Sequence, residues 1–406
     1  MKRPSIPLNQ KTALAIVFVS LVFVIGYTSL PIVLQAINDF TALSGQNLNI
    51  RFTNTRNKIE SAYQNMLDFK SHRLINRGSY INLNGLMARI MGQRIMNSVV
   101  KLNNGYLTTL NASADMSMPG LLPGLTNLKD FCDGNGIKLV YVQAPYKVNK
   151  YDPELPLGTT DYTNKRIDNL LSLFRSIEID TIDLREEIRQ DEINYYDAFF
   201  KVDLHWKPET AFWANRKILE YLTEHKIIGE IPPKHTNIKN YKIELYKKWW
   251  LGSEGKRVGS YYAGVDDISV IYPDFDTNIR MEVPERNYDK TGPYYDVIIQ
   301  YVPRGYYTQH PYDGFYNWNN ILTKFSNEEA PVKKKLLIVS DSFNIPMRGF
   351  TALNFETLYA FNIAGYSNAY KEYFKDPVTE YHPDIVVIML SELNFGFLYS
   401  LAAAFE

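Results

Sequence analysis

Three side chains of this sequence have the types and the setting for nucleophilic chemistry. Ser342 stands in Ser340-Asp341-Ser342-Phe343, directly after the apolar run Leu336-Leu337-Ile338-Val339. A strand that stops at such a turn presents a serine at its carboxyl end, where the ligands of open α/β sheets gather. A serine hydroxyl is a weak nucleophile until a base takes its proton, and an imidazole base needs a carboxylate to fix its tautomer. Asp203-Leu204-His205-Trp206 supplies both. Pro208 marks the first turn of a helix, so Asp203 and His205 fall in the irregular loop before it, where the carboxylate can turn toward one ring nitrogen and leave the other for Ser342.

The elements that must position these blocks read as alternating strands and helices from about residue 120. Leu125 to Cys132 ends a helix stopped by Gly134-Asn135-Gly136, and Ile137 to Val142 reads as a strand. Ile167, Leu170, Leu171 and Phe174 give a helix over 163–176, followed by a short strand from Ile179 to Leu184. Phe212, Ile218, Leu219 and Leu222 recur at helical spacing after Pro208. Strands follow at Leu336 to Ser340, near Leu358 to Ile363, and at Ile385 to Leu390. Their unbroken apolar runs suit a parallel sheet buried on both faces. Residues 230–330 lack helical periodicity and are dense in Pro, Gly, Tyr and Trp, which predicts an insertion of short strands and loops over the active-site face.

The N-terminal part has a different character. Lys2, Arg3 and Lys11 precede Ala13 to Ile37, which contains no charged residue. That span exceeds the ~20 residues that cross a bilayer, and the flanking charges place the N-terminus in the cytoplasm. The expectation is a stub and uncleaved signal anchor over 1–38, with residues 13–37 in the membrane. A juxtamembrane helical region then occupies 39–115, and a catalytic domain 116–406 lies outside the cytoplasm. Within the helical region, Ile59, Tyr63, Met66 and Leu67 mark one amphipathic helix, and Leu83, Leu86, Met87, Ile90 and Met91 a second whose stripe is expected to face a core.

Composition excludes several alternatives. Lys+Arg and Asp+Glu both total 44 over 406 residues, so no net field favours nucleic acid. One cysteine, Cys132, rules out an internal disulfide and a thiolate-rich metal site. The 6 scattered histidines suggest no metal cluster, and neither a His-Glu-x-x-His helix nor a phosphate-binding glycine loop occurs. No cofactor is expected. The 30 tyrosines offer apolar faces with polar tips, suited to sugar rings or to packing.

Taken together, the Asp-x-His-Trp and Asp-Ser-Phe units resemble the DHHW and alginate O-acetyltransferase (AlgX/AlgJ-like) branch of the SGNH hydrolase-like superfamily, in which the Asp-His pair precedes the serine block. Further similarity lies in Ala144-Pro145-Tyr146-Lys147, Tyr151 with Leu155-Pro156, Leu251-Gly252-Ser253 through Gly255-Lys256-Arg257-Val258-Gly259, and Pro383-Asp384. It spans roughly residues 100–400. Three positions depart from that pattern: Ser340 replaces a usual Gly, Leu204 a second His, and Glu392-Leu393 a frequent Glu-Arg.

The resemblance implies a three-layer α/β/α fold with a parallel sheet and a permuted order of the catalytic blocks. It makes Ser342 the nucleophile, His205 the base and Asp203 the orienting carboxylate. It adds Gly365 and Asn394 to the Ser342 N–H as oxyanion donors. Trp206, Trp249, Trp250, Lys256 and Arg257 are candidates for a glycan groove on composition. The activity implied is O-acetyl transfer to an exported or cell-surface polysaccharide, with a membrane-bound O-acyltransferase (MBOAT) protein delivering the acetyl group. Two alternatives stay open: a carbohydrate esterase using the same triad, and a non-catalytic glycan-binding component of a synthesis complex.

Overall fold

The computed structural model describes residues 77–113, 120–363 and 375–405. The expected membrane span 13–37, the helix expected around Ile59 to Leu67, and Gly365 lie outside them. Contacts divide the chain into Met1–Ile81, described only from residue 77, and Asn82–Glu406. Among the described residues no helix is long and apolar enough to cross a membrane.

Of the region 39–115, the described part holds the helix Arg77–Ile90 and three short antiparallel strands, Ile95–Met96 (β1), Val99–Lys101 (β2) and Leu107–Thr108 (β3). The helix does not bury the stripe that its sequence suggests. Leu83, Met87, Ile90 and Met91 are exposed, and Gly85 and Ala88 face the domain instead. Gly85 decides this: a Cβ there would overlap the Val258 carbonyl oxygen, so the bare backbone is what permits the close approach.

Lys138–Gln143 (β4) and Asp180–Asp183 (β5) begin the central sheet. Tyr241–Trp250 (β6) and Asp266–Pro273 (β7) form a separate antiparallel ribbon. Ile279–Val283 (β8), Tyr288–Gly292 (β9), Leu322–Ser326 (β10), Val332–Ser340 (β11), Phe355–Asn362 (β12) and Ile385–Leu390 (β13) complete the main sheet. Its order is β5-β4-β13-β11-β12-β10-β8-β9. From β5 to β12 all neighbours are parallel. From β12 through β10 and β8 to β9 they are antiparallel. The sheet is therefore mixed, where a parallel one was expected, because residues 279–326 extend it instead of only overlying it. β8 and β10 bury every second residue, Ile279, Met281 and Val283 in one and Thr323 and Phe325 in the other, as strands covered on one face do.

The parallel strands are buried on both faces and sort their side chains with period two. Val140, Val142, Leu336, Ile338, Ile385 and Val387 point to one side. There the helix Pro208–Glu224 packs Phe212, Ile218, Leu219 and Leu222 over them, joined by Met347–Ala352. Leu139, Tyr141, Leu337, Val339, Val386 and Ile388 point to the other. The helices Leu122–Gly134, Thr163–Ser176 and Gly396–Ala403 cover that side. Each fully buried aliphatic side chain contributes about 1.5–3 kcal/mol. β11 lies at the centre of this double core, so the turn that follows it is held on both sides.

Candidate active site

β11 ends at Ser340, and Asp341 caps a 3-10 turn over Ser342–Asn344 by accepting from Phe343 N at 3.1 Å. Asp341 is fully buried, and its other oxygen accepts from Ser391 N at 2.7 Å, Ser391 Oγ at 2.6 Å and Asn394 Nδ2 at 2.9 Å. One carboxylate thus ties the serine turn to the turn after β13. Ser342 opens its 3-10 turn, a place where the first N–H groups are free of internal bonding and point outward.

The loop carrying Asp203 and His205 is closed by main-chain pairing. Phe199 bridges Trp206, Phe200 N donates to His205 O at 3.2 Å, and Lys207 N donates to Ala198 O at 2.9 Å. His205 N donates to Asp203 Oδ1 at 3.0 Å, a local turn typical of Asp. Buried Lys147 donates to Leu107 O at 2.8 Å and also to Asp203 O, so the Ala-Pro-Tyr-Lys turn after β4 anchors the Asp203 backbone. Burial pushes the Lys147 ammonium below its usual range.

The residues next to the reactive ones set the register between the two blocks. Trp206 is fully buried, donates Nε1–H to Phe343 O at 2.9 Å, and meets the Phe343 ring edge-on at 5.2 Å. With Trp206 and Phe343 locked, their neighbours meet. His205 Nε2 lies 2.6 Å from Ser342 Oγ, and His205 Nδ1 lies 2.6 Å from Asp203 Oδ1. Asp203 Oδ2 accepts from Ser253 N at 2.6 Å and Ser253 Oγ at 2.8 Å. The imidazole stacks on Tyr312 at 4.2 Å, and Tyr312 stacks in turn on Trp250 at 5.7 Å.

Electrostatics follow from these contacts. Burial opposes a charge on His205, but the Asp203 charge and hydrogen bond outweigh it, with Asp313 and Asp341 adding to the effect, and the imidazole pKa is raised. Burial likewise opposes ionisation of Asp203, yet His205 and the donors from Ser253 and the His205 backbone hold its pKa well below the usual carboxylate range. The arrangement can take a proton from Ser342 and keep it on an imidazolium faced by a carboxylate and an aromatic ring.

The other expected site residues are placed differently. Asn394 spends its amide on Asp341 Oδ2 and, at 3.4 Å, on Ser391 Oγ, so it braces the serine turn where an oxyanion donor was expected. Ser340 Oγ is buried with no hydrogen-bond partner among the described residues. Trp206 and Trp250 belong to the core, because their rings fill space behind the two blocks, and neither lines a groove. Trp249 is half-buried, donates to Val302 O at 3.0 Å and has Arg304 over its ring. Arg257 is held by Asn97, through its guanidinium and through its own carbonyl. Lys256 donates to Gln309 O at 2.7 Å, with His310 Nδ1 at 3.4 Å. Glu392 pairs with Arg166 at 2.8 Å and accepts from Asn111 at 3.1 Å, so a guanidinium from another helix meets it where Leu393 follows in sequence. Ser253 and Tyr312 join the candidate site through their contacts with Asp203 and His205, and the sequence did not single them out. Ser253 sat in a noted block without a role, and Tyr312 was one of many aromatic residues. Among the described residues no group of His, Cys, Asp and Glu is arranged to hold a metal.

Part of the chain matches a known family. Residues 109–247, which include Asp203 and His205, match the family described as "SGNH hydrolase-like domain, acetyltransferase AlgX". Over that stretch the chain is similar to the AlgX-type SGNH hydrolase-like domain. Among solved structures, the chain is similar to Bacillus cereus PatB1 with a sulfonyl adduct, with TM-score 0.58 and 15% identity over 74% of this chain and 96% of that one. It is also similar to a DHHW family protein from Eubacterium siraeum DSM 15702, with TM-score 0.56 and 15% identity over 75% and 94%. At that identity these two establish a shared fold. No curated protein sequence matches the chain.

Proposed function

We propose that the protein is an extracytoplasmic O-acetyltransferase that carries acetyl on Ser342 and passes it to a hydroxyl of an exported or cell-surface polysaccharide. The observation that carries this reading is the unbroken line from Asp203 through His205 to Ser342, with both contacts at 2.6 Å. The family description, which names an acetyltransferase, supports the choice of acyl group.

In the first half-reaction Ser342 Oγ attacks the acetyl carbonyl carbon of the donor while its proton moves to His205 Nε2. The Ser342 N–H faces the developing oxyanion, a donor of a kind worth about 3–4 kcal/mol in such sites. The tetrahedral centre collapses, the bond to the donor's leaving group breaks, and that group departs with the proton from His205. In the second half a sugar hydroxyl gives its proton to Nε2 and attacks the acetyl-serine. The Ser342 Oγ–carbon bond then breaks, and Oγ recovers the proton. One acetyl group moves, and proton and electron pair are restored to the enzyme. Water in place of the sugar would make the same site an esterase, so placement of the acceptor and exclusion of water decide between the two.

The uncharged span from Ala13 to Ile37 behind Lys2, Arg3 and Lys11 supports a membrane anchor with the catalytic domain outside. Cytosolic coenzyme then has no direct path to Ser342, which favours delivery by a membrane-bound O-acyltransferase protein. The test is surface polysaccharide acetylation in cells carrying Ser342→Ala at normal protein levels. Loss of acetyl from the polymer is expected; acetylation at the wild-type level excludes catalysis by Ser342.

A further inference from the structure

Behind Asp203 lies a second carboxyl group that the reaction described above does not use. Glu254 is only 3% exposed, and its Oε2 lies 2.9 Å from Ser253 Oγ. The same Oγ lies 2.8 Å from Asp203 Oδ2. A serine hydroxyl carries one hydrogen, and an ionised carboxylate only accepts. Ser253 can therefore satisfy one of the two oxygens, and the other contact needs a hydrogen of its own. Only a protonated carboxyl can supply it.

Asp203 is not the group that carries this hydrogen. It accepts from His205 N, His205 Nδ1 and Ser253 N, three N–H donors that hold the anion. Glu254 faces a smaller set, with Ser253 Oγ as its side-chain partner and its own main-chain N–H beside it. We propose that Glu254 is a positioning residue, held as a neutral carboxylic acid that donates to Ser253 Oγ and so commits the Ser253 hydrogen to Asp203 Oδ2. With Oδ2 occupied by Ser253 N–H and O–H, Oδ1 is left to His205. A neutral Glu254 also places no second negative charge behind the imidazole.

The charged groups that face this cluster agree with the assignment. Burial and the Asp203 charge both push the Glu254 carboxyl up, and they outweigh the opposing Lys147 charge and the hydrogen bonds from Ser253 and from the main chain of Glu254 itself. The Lys147 hydrogen bonds run to Leu107 O and Asp203 O. Asp266, the remaining carboxyl near Lys147, accepts from Val202 N at 2.8 Å. The inference rests on the reading of Ser342, His205 and Asp203 given above.

Two measurements on the full-length protein in detergent test it. The first is the infrared difference between wild type and Glu254→Leu at neutral pH. A carbonyl stretch of a protonated carboxyl, present in wild type and lost in the variant, is expected; no such band overturns the proposal. The second is the rate of Ser342 labelling by a fluorophosphonate as a function of pH. Losing the acid donor leaves Asp203 more basic, so the acid-limb midpoint is expected to move to higher pH in Glu254→Leu. An ionised Glu254 requires the opposite, since its removal deletes an anion and the midpoint falls; a fall or no movement overturns the proposal. Should Glu254→Leu not fold, Ser253→Ala gives the same comparison: a midpoint moved to higher pH is expected, and an unmoved one means that the hydroxyl served an ionised Glu254. A wild-type protein that takes no label at all counts against the acyl-serine reading, while the infrared result on Glu254 stands by itself.

Discussion

Replacing Asp203 by Asn keeps the shape of the side chain and exchanges one acceptor oxygen for a donor. Both Asp203 oxygens meet a main-chain N–H whose direction cannot change, Ser253 N at 2.6 Å on Oδ2 and His205 N at 3.0 Å on Oδ1. The single amide oxygen goes to the shorter of these, beside Ser253, and the NH2 group then faces His205. Its hydrogen meets Nδ1, the ring proton moves to Nε2, and the lone pair that should accept from Ser342 at 2.6 Å is lost. A wrong tautomer of this kind lowers kcat by about 10^4 in a serine triad, or about 5.5 kcal/mol at ~1.36 kcal/mol per tenfold. The His205 N–H left facing a donor costs about 1–3 kcal/mol of stability. The assay is the rate of fluorophosphonate labelling and of acetyl transfer, read beside a thermal melt. A Asp203→Asn protein that folds and keeps its rate within about tenfold of wild type refutes the orienting role.

Other consequences follow from the same geometry. Because the His205 pKa is raised, the acid limb of kcat/KM should lie above the ~6.5 of free imidazole, and a midpoint at or below that value contradicts the pairing with Asp203. The stabilisation linked to His205 is full below that unfolded value and is lost as pH rises through the folded one, which thermal melts across the range will show. Tyr312→Phe keeps the ring stacked on His205 and should leave the acid limb in place, whereas Tyr312→Leu removes the stack and should lower its midpoint by about 0.4–1.5 units, from a cation–π contribution of ~0.5–2 kcal/mol. Gly252→Ala should lower both melting temperature and labelling rate, because its Cβ would overlap Asp203 Cβ and Oδ2. Asp341→Ala strips the partner from the N–H groups of Phe343 and Ser391, at about 1–3 kcal/mol for each left unsatisfied, and calorimetry should show the loss even where no substrate is present.

Much of the core was legible because burial on both faces leaves a local signature. Leu336 to Val339 and Ile385 to Leu390 are unbroken apolar runs, and they became the central parallel strands β11 and β13. Asp203, His205 and Ser342 were legible as chemistry because each sits where a regular element starts or stops. The antiparallel extension was not, since Tyr-Asp-Lys-Thr-Gly in β9 is polar and short, and the β8–β9 hairpin joins the sheet only through β10, which is remote from it in sequence. Asn394 misled because an Asn at a strand end looks free to donate, while its actual acceptor, Asp341, lies on a different strand end. Trp206 and Trp250 misled because an aromatic side chain near reactive residues reads equally as groove or as core; only packing decides, and here it buries both. The stripe of Leu83, Met87, Ile90 and Met91 has a core-like period, but the approach of Gly85 to Val258 turns it outward.

In the proposed reaction acetyl rests on Ser342 before it reaches a sugar hydroxyl. Full-length protein in detergent, mixed with an activated acetyl ester and quenched in acid, can be digested and the peptide bearing Ser342 weighed with and without oligosaccharide. One acetyl group is expected on Ser342 in wild type and none at that peptide in Ser342→Ala. Added oligosaccharide is expected to discharge the acetyl-serine and gain the acetyl group. Acetyl that reaches the oligosaccharide at the wild-type rate in Ser342→Ala would contradict the acetyl-serine route.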